Sequence, residues 1–115
     1  MGHPSESLVT LGDFGRECDR VDSEIRGLPT ISQSVPDFLA NVHAEASEAW
    51  ECHRKGWSPV EHFYINGKPE GIPVELADIV LRIAAFCHVH GINLAAEMTS
   101  KLAFNATRGK ANKII

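Results

Sequence analysis

The segment from about residue 73 to residue 90 constrains the fold more than any other, because it is apolar on almost every side of the helix that it predicts. It begins at Pro73, which suits the first turn of a helix, and Gly91 follows it as a C-cap. A helix with no polar face must be covered by other elements. We therefore expect this helix to lie at the centre of an all-α fold, with Glu75 and Asp78 as its only acidic residues.

Three other segments carry helical signals and would surround the central helix. They are expected at about residues 12–26, 35–54 and 94–108. The first has a single apolar stripe, Phe14, Cys18, Val21 and Ile25, and should lie on the surface. Ser34 and Asn93 are the expected N-caps of the other two helices. The segment around Asn66-Gly67 carries a hairpin-type turn signal, but alternation does not flank it on both sides, so we expect a loop there.

Charge and cysteine content limit the classes of protein to which the chain can belong. The net charge is −4 over 115 residues, with no basic excess of the kind that binding to a nucleic-acid polymer requires. No apolar run approaches the roughly 20 residues of a membrane span. Cys18, Cys52 and Cys87 are odd in number and widely spaced, which argues against disulfides and a cysteine zinc site. We expect a cytoplasmic protein whose cysteines are reduced and buried.

Two pairs of carboxylates have the spacing that brings side chains to one face of a helix. Glu45 falls within the apolar stripe of the second helix, which is drawn by Phe38, Leu39, Val42, Ala46 and Ala49, and Glu48 lies at its edge. Glu75 and Asp78 are one turn apart on the central helix. Charges that face a core are costly unless a cation compensates them, and oxygen ligands suit Mg²⁺. The alternative is that these are ordinary charges on helix surfaces, since ExxE often occurs by chance.

The fourth helix carries a polar row that complements the carboxylates. Lys101, Asn105 and Arg108 recur at steps of four and three and share one face. Lys and Arg bind phosphate, and Asn105 offers hydrogen bonds to a sugar or a base. The alternative is that the two cations only interact favourably with the helix dipole. Beside a metal site, the row predicts a triphosphate site.

These motifs resemble those of the MazG-like all-α nucleoside triphosphate pyrophosphohydrolases. The resemblance rests on EASE at 45–48, ELAD at 75–78 and KLAFNATR at 101–108, and covers about residues 35–108. It implies hydrolysis of (deoxy)nucleoside triphosphates to the monophosphate and pyrophosphate, with Mg²⁺, or Mn²⁺ in its place, as the cofactor. It further implies metal binding by Glu45, Glu48, Glu75 and Asp78, and nucleotide contacts from Lys101, Asn105 and Arg108. We choose Glu48 as the catalytic base.

The resemblance also implies how the chain is organised. Residues 35–108 would form the MazG-like catalytic domain. Outside the resemblance, we expect residues 1–34 to form an N-terminal extension with an amphipathic helix and residues 109–115 to form an unstructured tail. Members of this family build their helical bundles from two or more subunits. An almost uniformly apolar central helix needs the same cover, so we expect a homodimer or homotetramer.

Other functional interpretations remain open. Many family members carry a second Glu where this chain has Ala44, and together with the tail GKANKII this favours a non-catalytic metal- or nucleotide-binding or assembly module. A transition-metal site of histidines is a third possibility, but His88 and His90 would point about 200° apart on a helix. The aromatic residues Trp50, Trp57, Phe63 and Tyr64 are either base-stacking side chains or packing residues.

Overall fold

The computed structural model describes residues 10–28 and 34–108, and it is mostly helical, as the sequence predicts. Its elements are α1 (Leu11–Arg20), which continues into a π-helical segment (Val21–Ile25), α2 (Val35–Arg54), β1 (Phe63–Ile65), β2 (Lys68–Glu70), α3 (Ile72–His90) and α4 (Leu94–Thr107). The predicted tail, 109–115, lies outside the described residues, as do residues 1–9 and 29–33 of the predicted extension.

Local capping explains why these helices begin and end where the sequence predicts. Ser34 Oγ accepts a hydrogen bond from the backbone N–H of Asp37 at 3.5 Å, and Asn93 Oδ1 accepts one from the N–H of Ala96 at 3.0 Å. Each satisfies a donor that the first turn of a helix leaves unpaired. Gly91 ends α3 in the left-handed conformation, with φ of 69°, which favours glycine.

The predicted loop between α2 and α3 is instead a β-hairpin, so that prediction was wrong. Strands β1 and β2 pair antiparallel, with Phe63 opposite Glu70. Asn66 and Gly67 form the turn with φ of 53° and 80°, the positive values that a type I′ turn requires. Three-residue strands are too short to show alternation, and a tertiary contact supports them: the Trp57 and Phe63 rings meet edge to face at 4.7 Å.

Helix α3 is the central element, as expected, and packs against α1, α2 and β2. The rings of Phe38 on α2 and Phe86 on α3 stack with centroids 4.0 Å apart. On the other side, α1 approaches so closely that a Cβ at Gly15 would lie 2.2 Å from the carbonyl oxygen of Ala84. Glycine is therefore required at this helix crossing.

The first helix is more buried than the sequence predicts. One face of α1 and of the π-helical segment is buried through Gly15, Cys18 and Asp22. The ends of the predicted apolar stripe are more open, since Phe14 is 40% and Ile25 is 52% exposed. The face formed by Gly15, Cys18 and Asp22 is the one that lies against α3, through the close crossing at Gly15 and the hydrogen bonds of Arg82 to Cys18 and Asp22.

The buried core consists of small side chains. Among the described residues, the buried apolar positions are Cys18, Cys52, Ala84, Ala85 and Cys87. The three cysteines are free and buried, which confirms the prediction, and burial raises the pKa of each thiol. Two residues assigned to the stripe of α2, Leu39 and Ala46, are exposed instead.

Several large apolar side chains on α2, α3 and α4 are left exposed by the described residues. Those at least about two-fifths exposed on these helices include Val35, Leu39, Leu76, Val80, Met98, Leu102 and Phe104. Helix α4 is exposed along most of its length and makes its main contact with α1. None of the described helices is long and apolar enough to cross a membrane.

Candidate metal centre

Two helices and the hairpin bring the acidic side chains together. Gly71 connects β2 to α3 with φ of 128°, and a Cβ there would lie 2.3 Å from the carbonyl oxygen of Glu61. Its own carbonyl accepts the N–H of Glu75 at 3.1 Å, which is a first-turn hydrogen bond of α3, and α3 packs against β2. Helix α2 packs along α3, and its inward face carries Glu45 and the buried Cys52.

Glu45, Glu48 and Glu75 form a three-carboxylate cluster, with one oxygen atom from each lying within 4.8 Å of the others. Glu48 is exposed, Glu45 is half-buried, and Glu75 is only 9% exposed. Within the described residues, the buried Oε1 atoms of Glu45 and Glu75 have no hydrogen-bond partner. Buried polar atoms are normally satisfied, so these orphaned oxygens fit a site that accepts a cation.

Burial and mutual repulsion disfavour the ionised forms of Glu45 and Glu75, so the pKa values of both are raised. Burial, followed by the negative charge of Glu48, raises the pKa of Glu75 to about 7. Burial also raises the pKa of Glu45, with the charges of Asp78 and Glu48 as further causes. A divalent cation among these oxygens would reverse the effect, because it favours the ionised form of each ligand.

Asp78, the fourth predicted ligand, lies beside the three-carboxylate cluster rather than within it. It is one turn along α3 from Glu75 and lines a cavity with Arg82. Burial raises the pKa of Asp78, whereas the guanidinium of Arg82 lowers it. The structure thus brings three of the four predicted ligands together, whereas Asp78 lines a cavity with the guanidinium of Arg82.

Two lysines that the sequence analysis missed stand beside the cluster. Lys55, at the end of α2, and Lys68, on β2, line a cavity of about 170 Å³ together with Glu48 and Glu75. Lys68 Nζ lies 3.6 Å from an Oε2 of Glu70. The Asn66-Gly67 turn was the available signal, because a predicted hairpin would have folded Lys68 back toward the start of α3.

The polar row predicted to bind phosphate lies together on α4, but it is not part of the three-carboxylate cluster. Arg108 donates a hydrogen bond to Asn105 Oδ1 at 2.9 Å, and Lys101 and Arg108 lie over the ring of Phe104 at 5.2 and 5.3 Å. None of the three predicted contacts lines either cavity beside the carboxylates. Within one chain, Lys101 and Asn105 are exposed and Arg108 is half-buried.

The histidine alternative has no matching geometry among residues 10–28 and 34–108. In that part of the chain, the group of three or more His, Cys, Asp or Glu side chains that could share an ion is Glu45, Glu48 and Glu75. Of the aromatic candidates, Trp57 packs on Phe63, whereas Trp50 and Tyr64 are more than half exposed.

Fold and site define the class: a helical protein with a carboxylate cluster that could hold a divalent cation. No family model, no curated protein and no solved structure matches the chain.

Proposed function

We propose that this chain is a Mg²⁺-dependent nucleoside triphosphate pyrophosphohydrolase that releases pyrophosphate and a nucleoside monophosphate. One observation carries the proposal: Glu75 is almost fully buried, and its Oε1 lacks a hydrogen-bond partner among the described residues while it shares a cluster with Glu45 and Glu48. The resemblance of EASE, ELAD and KLAFNATR to MazG-like motifs supports the same activity.

In the proposed site, Glu45, Glu48 and Glu75 would hold the cation, and Asp78 would complete the set from the next turn of α3. Bound there, Mg²⁺ would supply charge neutralisation on the phosphates and acidify water. The oxygen of a water attacks the α-phosphorus, the bond from that phosphorus to the bridging oxygen breaks, and its electron pair leaves with pyrophosphate. Glu48 is exposed and can take the proton from the attacking water.

Positive charge for the phosphates comes first from Lys55 and Lys68, since both share a cavity with Glu48 and Glu75. Preorganised cations beside a transferring phosphoryl group stabilise the charge that develops on it. In this proposal, Lys101, Asn105 and Arg108 contact nucleotide from α4 of another subunit, because within one chain α4 packs mainly against α1.

A homodimer or homotetramer would also cover the apolar side chains that are exposed among the described residues. Leu76 and Val80 on α3 are 51% and 48% exposed, and Leu39 on α2 is 51% exposed. Large apolar side chains that are exposed in one chain are often buried in subunit interfaces. The proposed assembly would therefore bury the open side of the central helix and bring the polar row of α4 to a carboxylate cluster.

Pyrophosphate release from a panel of NTPs and dNTPs, with and without Mg²⁺, tests the activity. We expect Glu48→Gln and Asp78→Asn each to abolish it while the helical circular dichroism signal is retained. Glu24→Gln, an exposed position in the π-helical segment that lines neither cavity, is the matched control and should keep full activity. Unchanged turnover in either site variant would refute the assignment.

The competing function is a non-catalytic metal- or nucleotide-binding module. The separation of the α4 row from the carboxylates within one chain favours it, as does Ala44 in place of a second acid. Measuring nucleotide binding by calorimetry alongside turnover distinguishes the two functions. Mg²⁺-dependent binding without any pyrophosphate release would establish the module.

A further inference from the structure

A second cavity, of about 360 Å³, lies between α3 and the first helical element, which is α1 together with the π-helical segment that continues it. Its apolar wall is formed by Phe14, Cys18, Val21 and Leu81. The volume is at the lower end of the range for small-molecule sites, which are mainly apolar with a few polar groups that fix orientation. The cavity has this composition, because charged side chains occupy its remaining lining.

The polar part of the cavity is held rigidly by a buried ion pair. Arg82 Nη1 lies 2.6 Å from Asp22 Oδ2, and Asp22 is only 6% exposed. Arg82 Nη2 also donates to Cys18 Sγ at 3.0 Å, and Arg26 Nη1 donates to Asp22 Oδ1 at 3.2 Å. A guanidinium has five N–H donors, so Arg26 and Arg82 keep further donors beyond these bonds.

Asp78 joins this cavity to the candidate metal centre. It lines the cavity with Arg82 and follows Glu75 by one helical turn, a rise of about 4.5 Å. The charge of Glu48 contributes to the raised pKa of Asp78, as expected of neighbouring groups. The smaller cavity with Lys55 and Lys68 includes Glu75. From the start of α3 onward, the two lysines therefore come first, the carboxylates come next, and the apolar cavity comes last.

We propose that the apolar cavity between α1 and α3 binds the nucleoside part of the substrate, with the base against Phe14 and Leu81. The leaving pyrophosphate then points toward Lys55 and Lys68, and the α-phosphorus lies at the carboxylates between the two cavities. A base with its sugar is uncharged and needs an apolar wall with a few hydrogen-bonding groups, whereas the polyphosphate needs cations. This assignment rests on the proposed pyrophosphohydrolase function, and it specifies which end of the nucleoside triphosphate lies in which cavity.

Kinetics of two cavity variants test the proposal in the full-length protein. Phe14→Ala removes an aromatic wall at a partly open position, and Leu81→Trp fills the cavity. We expect each to raise KM for the best nucleoside triphosphate about tenfold, in line with the loss of one stacked base, with a much smaller effect on kcat. Ile25→Ala, on the same element but outside the cavity lining, should leave both constants unchanged.

If the wild-type protein hydrolyses triphosphates but Phe14→Ala leaves KM unchanged, the nucleoside site is refuted and the proposed function stands. If the wild-type protein releases no pyrophosphate, the proposed function fails. The site is then tested alone by NMR, with nucleoside monophosphates and, separately, inorganic pyrophosphate, both with Mg²⁺. Shifts at Phe14, Val21 and Leu81 with the monophosphate only would support the site. Shifts confined to Trp57 and Tyr64, or no shifts, would overturn it.

Discussion

Arg82 on α3 donates a 2.6 Å hydrogen bond to Asp22, a residue sixty positions earlier in the π-helical segment that follows α1. The side chain of Asp22 is 9% exposed and that of Arg82 is 19% exposed, so the pair is largely shielded from water. It fixes the first helical element against α3 at the turn that follows Asp78.

The stability contribution of this pair can be measured by removing its cation. Arg82→Met leaves the buried Asp22 with Arg26 as its one cationic partner among the described residues, so we expect the free energy of unfolding to fall by about 3 kcal/mol. Arg16→Met breaks the exposed pair with Asp13, and it should cost less than about 1 kcal/mol. Urea unfolding followed by circular dichroism gives both values, and equal losses in the two variants would contradict this account.

Alanine substitutions at two glycines of α1 should change the stability of the protein in opposite directions. Gly15→Ala would place a Cβ 2.2 Å from the carbonyl oxygen of Ala84, so the helices must separate, at a cost of about 1–3 kcal/mol. Gly12→Ala would meet nothing closer than Thr10 Oγ1 at 3.7 Å. It should stabilise the protein by about 0.5–1 kcal/mol, since glycine disfavours a helix. Thermal unfolding of both variants tests the crossing, and a neutral Gly15→Ala would argue against it.

Glu75 should lower the stability of the metal-free protein while making the cation site possible. We expect Glu75→Gln to raise the melting temperature without Mg²⁺ at pH 8, because it removes a buried charge beside Glu45 and Glu48. The same variant should lose the stabilisation that Mg²⁺ gives the wild-type protein. Glu97→Gln on α4 should alter neither property. A Mg²⁺-induced shift that survives Glu75→Gln would count against this site.

The raised pKa of Glu75 also predicts a pH dependence. Its carboxyl titrates near 4.5 in the unfolded chain and at about 7 in the folded protein. Between these values the folded state binds the extra proton, so the contribution of Glu75 to stability falls as pH rises from 4.5 to 7 and is constant above that. This decrease should appear as the difference between wild-type and Glu75→Gln unfolding curves across pH.

Mg²⁺ affinity should follow the opposite course, weakening as pH falls below 7, because protons compete for Glu75. Titration calorimetry at pH 6 and pH 8 measures this directly. Equal affinities at the two pH values would show that the cation binds elsewhere.

The proposed oligomer predicts sensitivity at the open side of α3. Val80 is 48% exposed, and Val80→Lys should dissociate the assembly in sedimentation velocity, because it places a charge in an apolar interface. Val60→Lys makes the same change at a loop residue that is 80% exposed, and it should leave the assembly intact. A wild-type protein that sediments as a monomer would contradict the proposed oligomer.

The sequence by itself determined the helices and their ends, because caps such as Ser34 and Asn93 and the terminating Gly91 act within one turn of backbone. It also placed Glu45 toward the interior, since a 3.6-residue period fixes the face of a helix on which a side chain lies. The hairpin was missed because its strands are only three residues long and depend on Trp57 for support.

Only the tertiary structure decided which groups meet. The convergence of Glu45, Glu48 and Glu75, and the position of Asp78 toward Arg82, depend on how α2 and α1 pack along α3. Helical periodicity gives the face of each side chain on its own helix but not the rotation and offset between helices. Those follow from side-chain volume at the crossings, such as the absence of a Cβ at Gly15, and such volume acts between residues that are distant in sequence.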